Sequence, residues 1–154
     1  MTAIKAPEPG SDQVLSRIFI SRVKSKKPQS RSGSPVQFVT LLNEGVSGAV
    51  LRPVARHIPK ALVVSSVGTD PSNFSKLTQR KRLSARQTED LNDLTKLWAE
   101  LREFFGWDEG MVTNWIDDPL PALDGKPPSA IMSSPEGRDI IREQLDLMRY
   151  GDFA

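Results

Sequence analysis

The chain is 154 residues long, 38% hydrophobic and 26% charged, with no cysteine and one histidine. That length suits one domain or two small ones sharing a core, and the missing thiols exclude a disulfide framework and a thiolate zinc site. No apolar run approaches the roughly 18 residues needed to span a bilayer, and the opening MTAIKAPEPGSD lacks a signal peptide's basic-then-apolar order, so a cytoplasmic protein with no membrane role is expected.

The net charge of +2 conceals a polarised chain. Residues 1–86 carry 15 Lys/Arg against 4 Asp/Glu, whereas residues 87–154 carry 6 against 15. Such asymmetry points to a nucleic-acid-facing half and a half with a different task. Residues 1–34, rich in Pro, Ser, Gly and basic residues, hold too little apolar surface to offset their ordering entropy and are expected to form a mostly disordered arm. Val14, Leu15, Ile18, Phe19 and Ile20 are the exception, enough for a helical turn or short strand that docks on the body or on a partner.

From Pro35 the pattern becomes helical. Val36, Val39, Leu41 and Leu42 form an amphipathic run that ends at Asn43-Glu44-Gly45. A second run from Ser47 to about Arg56 contains Pro53, which either kinks the helix or starts its first turn. Pro59 opens a third, KALVVSSVG, with Gly68 as its C-terminal cap or turn. Asp70-Pro71 then caps a helix PSNFSKLTQ whose inward residues are Phe74 and Leu77. Ser84-Ala85-Arg86-Gln87 has the form of a capping box, and Leu91, Leu94, Leu97, Trp98, Leu101, Phe104 and Phe105 recur behind it at three- and four-residue steps. This helix of about twenty residues bridges the two halves, and its apolar face serves either the core or a dimer contact. A shorter helix carries Met111, Val112, Trp115 and Ile116, and after a proline-rich loop Ser134-Pro135-Glu136 begins another with Ile140, Ile141, Leu145, Leu147 and Met148. No segment alternates as a strand would, so the fold class is all-α.

Two short helices joined at Gly68 have the order of a helix-turn-helix. In that arrangement the exposed residues of the second helix, Ser72, Asn73, Ser75 and Lys76, would face base edges, and Arg80, Lys81 and Arg82 would meet phosphates. Asn73 is the specificity candidate, because an amide can pair bidentately with adenine. The plain alternative is an ordinary helical corner with a solvated basic face. Catalysis has little to work with: His57 lacks an adjacent nucleophile pattern, and the carboxylates recur at helical spacings that describe solvated faces. No glycine-rich phosphate loop is present. No cofactor, no metal and no enzyme activity are expected. The sequence's closing Arg149-Tyr150-Gly151-Asp152-Phe153-Ala154, with two aromatics after an amphipathic helix, suits a segment that docks in a groove.

Trp115, Pro119, Pro121-Ala122-Leu123, Gly125, Pro128, Pro135-Glu136-Gly137-Arg138 and the closing RYGDFA together resemble the C-terminal domain of Xre/MbcA/ParS antitoxins. GTDPSNFSKLTQRKRLSARQTEDL resembles the recognition helix and following helix of their Xre-like part. The pattern departs from the family at Pro127-Pro128, where one proline is usual, and at Asp124, where a second glycine is common. The resemblance implies a helix-turn-helix region over residues 35–106 and a toxin-binding domain over 107–154, behind the arm 1–34. It implies an antitoxin that neutralises a RES-domain, NAD-consuming toxin encoded by an adjacent gene and that represses its own operon at operator DNA. A homodimer or a hetero-oligomer with the toxin follows. The implied toxin-binding residues are Arg138, Ile141, Leu145, Met148, Arg149, Tyr150 and Phe153, with the helix and tail occluding the toxin's NAD site. The competing reading is a stand-alone regulator whose second half dimerises or senses a ligand.

Overall fold

The structure, a computed structural model, describes residues 11–24 and 35–151. Among the described residues there are eight α-helices and no strand: α1 (Ser11–Lys24), α2 (Pro35–Glu44), α3 (Leu51–His57), α4 (Lys60–Ser66), α5 (Phe74–Thr78), α6 (Ala85–Phe104), α7 (Glu109–Asp117) and α8 (Pro135–Tyr150). Single 3-10 turns occupy Gly48–Val50, Pro121–Leu123 and Pro128–Ala130. The all-α expectation holds.

The long helix α6 is the element around which the others are arranged, touching α1, α2, α4, α7 and α8. Its capping box forms as the sequence suggests: Ser84 Oγ accepts from Gln87 N at 3.1 Å, and Gln87 Oε1 accepts from Ser84 N at 3.0 Å. The Gln87 amide also donates to the Val67 carbonyl at 3.1 Å, which ties the start of α6 to the end of α4. Leu91, Leu94, Leu97, Trp98 and Leu101 are fully buried or nearly so. The core consumes this face, leaving it no surface for a dimer contact.

The arm assigned to residues 1–34 is shorter than composition suggested. Ser11–Lys24 is a four-turn helix that packs on α6, α2 and α3. Leu15, Phe19 and Val23, one helical turn apart, are completely buried. Each such side chain contributes about 1.5–3 kcal/mol of burial, which overrides the polar residues between them. The end of α1 is held by two arginines: Arg22 donates to Asn92 on α6, and Arg102 of α6 donates to the Val23 carbonyl. The rest of the arm assignment, residues 1–10 and 25–34, lies outside the described residues.

Pro53 falls in the first turn of α3, where a missing N–H costs nothing. The α6–α7 junction is tight. Trp107 N donates to Arg102 O at 2.7 Å and Gly106 N to Glu103 O at 3.1 Å, the paired bonds of a Schellman ending. Trp107 itself is left-handed at φ 68°, its ring 5.1 Å from the buried Arg102 guanidinium. Asp124, at a position where the resembled family commonly has glycine, is likewise left-handed, at φ 56°.

Candidate functional site

Two surfaces of this frame bear on function, one at α4–α5 and one along α8. At the first, α4 ends in a second Schellman pair: Thr69 N donates to Val64 O and Gly68 N to Ser65 O, both at 3.1 Å. Gly68 takes φ 67°, which a residue with a Cβ resists. Asp70 then accepts from Ser72 N at 2.9 Å and Asn73 N at 3.0 Å, so it closes a turn ahead of α5 and is not the helix cap read from the sequence; that place falls to Asn73, which makes no side-chain cap bond. Hydrogen bonds from Ser72 and Asn73 hold the Asp70 carboxyl below the usual value. The helix that follows is shorter than expected, because Pro71–Asn73 form a turn and α5 begins only at Phe74.

Ser72, Asn73, Ser75, Lys76, Arg80, Lys81 and Arg82 are all exposed around α5 and the loop behind it. Phe74 and Leu77 point inward as read. Asn73 departs from its expected role: its side-chain amide donates to Asp70 Oδ2 at 2.8 Å, a local bond that competes with base pairing. Across residues 45–86 there are eight Lys/Arg and one Asp, so the surface around α4 and α5 carries a clear positive excess. Lys60 sits 5.0 Å from the Phe74 ring.

The second surface rests on how α8 is fastened. Ser134 Oγ accepts from Gly137 N at 3.0 Å, and Pro135 occupies the first turn. Arg138 is wholly buried against α6. Its Nε donates to Asp93 Oδ2 at 2.7 Å, Nη2 to Asp90 Oδ1 at 2.5 Å and Nη1 to the Met132 carbonyl at 3.2 Å. One turn on, Arg142 donates to Asp93 Oδ1 at 2.8 Å, Glu100 Oε2 at 3.1 Å and Asp139 Oδ1 at 3.2 Å. Ile141 and Leu145 complete the inward face at 0% and 3% exposure.

This corrects part of the implied toxin-binding set. Arg138, Ile141 and Leu145 are spent on α6 and the core, so they fasten the helix and present no surface to a partner. Met148, Arg149 and Tyr150 are exposed, Tyr150 at 76%. Arg149 lies 5.8 Å from the Phe104 ring. Phe153 lies outside the described residues. Sequence reasoning also missed Ile140 and Leu147, exposed at 42% and 55%. They lie seven residues apart, opposite Arg138 and Leu145 on a helical projection, so the signal was present once the arginine had been assigned inward.

Asp93 receives both arginines. Burial raises its carboxyl, but hydrogen bonds and charge from Arg142 and Arg138 outweigh that and leave it below the ordinary value of 3.8. A depressed carboxylate stabilises the fold fully above its unfolded value and loses that contribution as pH falls through the lower folded value. Acid titration monitored by near-ultraviolet circular dichroism is therefore expected to loosen α8 below about pH 4, and Asp93→Asn is expected to reduce that transition. An Asp93→Asn titration indistinguishable from the parent contradicts the assignment.

Among the described residues no group of three or more His, Asp or Glu could hold a metal ion, and no helix is long and apolar enough to cross a membrane. What the second surface offers is a fastened helix with an exposed apolar outer side.

Two comparisons bear on that surface. Residues 100–151 match the antitoxin Xre/MbcA/ParS C-terminal toxin-binding domain, a span that begins in the last turns of α6 and ends just past α8. The chain is also similar to the "Prs ADP-ribosylating antitoxin" of Sphingobium sp. (strain YBL2), at 24% identity over 132 residues, covering 79% of this chain and 83% of that protein. Every α8 residue discussed above falls inside the matched span. Residues 100–151 thus match the toxin-binding domain of the Xre/MbcA/ParS antitoxins, and both comparisons support an antitoxin of that type.

Proposed function

We propose that this antitoxin neutralises a RES-domain, NAD-consuming toxin encoded by the neighbouring gene, by placing the C-terminal end of α8 and the residues after it over the toxin's NAD site. The observation that carries this reading is the exposure of Leu147, Met148, Arg149 and Tyr150 at the end of a helix whose other side is locked to α6. A rigid base with an exposed, partly aromatic end limits the ordering cost of insertion. Arg149 is available to pair with acidic or carbonyl groups in the pocket, after leaving Phe104. The Sphingobium relative's name joins an antitoxin to ADP-ribosylation, a chemistry that uses NAD, and this favours an NAD-consuming partner. Co-expression with the neighbouring gene tests it: a stable complex and preserved cellular NAD are expected. An NAD-depleted cell despite complex formation would count against occlusion.

The same reading divides the chain into a nucleic-acid-facing part over residues 35–106 and a toxin-facing part over 107–154. It has α4, Gly68 and α5 bind operator DNA and repress the antitoxin's own operon. Exposure of all seven residues proposed for DNA, and the positive excess over residues 45–86, support it. Asp70 holds Asn73, so phosphate contacts from Arg80, Lys81 and Arg82 are given the larger share of affinity. Replacing those three with Ala is expected to reduce the slope of log affinity against log salt by roughly one unit for each phosphate no longer neutralised. An unaltered slope removes this loop from the DNA interface. Pairing of two copies on a palindromic operator belongs to the same proposal.

A further inference from the structure

Helix α8 is nearly neutral as a sequence, with four carboxylates and three arginines. The fold separates the two signs. Arg138 and Arg142 are turned onto α6, where each meets carboxylates of that helix, and Arg149 lies over Phe104. Of the carboxylates, only Asp139 pairs with an arginine; Glu136, Glu143 and Asp146 are exposed and make no ion pair among the described residues. The outer side of α8 is thus stripped of positive charge.

That side has a regular composition. Glu136, Ile140, Glu143, Leu147 and Tyr150 follow one another at steps of four, three, four and three residues, which sets them in one line along the helix. Asp146 flanks the line beside Leu147. An open notch forms at its end, lined by Glu143, Asp146, Leu147, Tyr150 and Gly151. Two unpaired carboxylates, an aliphatic side chain and an aromatic ring mostly open to water are what a guanidinium seeks: charge, a surface for its stem and a ring face.

We propose that this line is the face α8 presents to the toxin, and that the toxin meets it with an apolar groove rimmed by basic residues, one of whose arginine side chains enters the Glu143–Asp146–Tyr150 notch. The proposal rests on the toxin-docking reading above and names the chemistry of the partner at that site. Charge complementarity selects this occupant. A second copy of the same helix would oppose carboxylate to carboxylate, and a nucleic acid would be repelled. Rim charges of this kind act mainly on encounter, raising the association rate in a salt-dependent way.

The test uses the full chain and the toxin purified from co-expression, with association followed by surface plasmon resonance from low to high salt. Wild type is expected to associate more slowly as salt rises. Glu143→Lys with Asp146→Lys is expected to slow low-salt association by on the order of tenfold or more and to abolish or reverse the salt dependence. Glu143→Gln with Asp146→Asn should fall between, and Glu89→Lys, an exposed position on α6 outside the toxin-facing part, should change association far less. Thermal melts of the free variants establish that each is folded. A doubly reversed chain that is folded and associates at the parental rate with the parental salt dependence overturns the proposal while leaving toxin docking intact. A wild-type chain that forms no complex with the toxin overturns the docking reading itself, and this proposal with it.

Discussion

A Gly137→Ala chain is expected to lose about 3 kcal/mol of stability, the upper part of the usual range for overpacking, although alanine favours a helix interior by about 1 kcal/mol over glycine. The loss follows from where α8 begins. A Cβ on Gly137 would lie 1.6 Å from the Ile131 carbonyl oxygen and 2.9 Å from Ser134 Oγ. The first obstacle is backbone, in the segment that follows the Pro128–Ala130 turn, and it cannot swing aside as a side-chain tip can. The second is the hydroxyl that caps the helix. Relief requires α8 to lift from the turn, and lifting it pulls Arg138, one residue on, away from Asp90 and Asp93. In a domain of this size the change corresponds to a fall of about 10 °C in melting temperature. A melt within a degree of the parent would mean that Gly137 does not abut Ile131.

Arg138→Met is expected to cost about 3 kcal/mol, the low end for breaking a buried charge pair. The low end applies because Asp90 and Asp93, at 13% and 30% side-chain exposure, keep some access to water, whereas Arg138 has none. Two carboxylates would be left facing each other across a cavity and the Met132 carbonyl would lose a donor. Arg138→Lys is expected to recover only part of the loss, since one ammonium cannot hold two carboxylates in a planar fork. Adding Asp90→Asn and Asp93→Asn to Arg138→Met should restore part of the stability, because the penalty lies in the stranded charges. Denaturant titration of the chain without its partner is the appropriate measurement. Were Arg138 a toxin contact, its replacement would leave the free chain unaltered and weaken only the complex.

Local signals in the sequence were read well where chemistry is local. Ser84 with Gln87, Ser134 before Pro135 and Gly68 after α4 each satisfy helix-end groups within a few residues and perform as read, whereas Asp70 before Pro71 closes a turn ahead of α5. The apolar rhythm from Leu91 to Leu101 was equally plain. Two features were not legible, both decided by contacts distant in sequence. Helix α1 is held by three apolar side chains and by arginines that bridge 70 and 79 residues of chain, so local composition shows the docking stretch around Leu15 and Phe19 but not the four turns that extend it to Lys24. Arg138 resembled a surface contact because arginine is seldom fully buried. Only Asp90 and Asp93, more than forty residues earlier, make its burial possible. The same distant pairing turns Ile140 and Leu147 outward.

The central claim is that the far end of α8, held rigid by α6, neutralises the toxin. NAD consumption by the purified toxin, measured with increasing amounts of the full chain or of a chain lacking residues 149–154, bears on it most directly. The full chain is expected to suppress consumption at stoichiometric concentration. The shortened chain, with its melting temperature little altered because Arg149 and Tyr150 are exposed, is expected to leave consumption largely intact. Equal suppression by both chains would contradict the account.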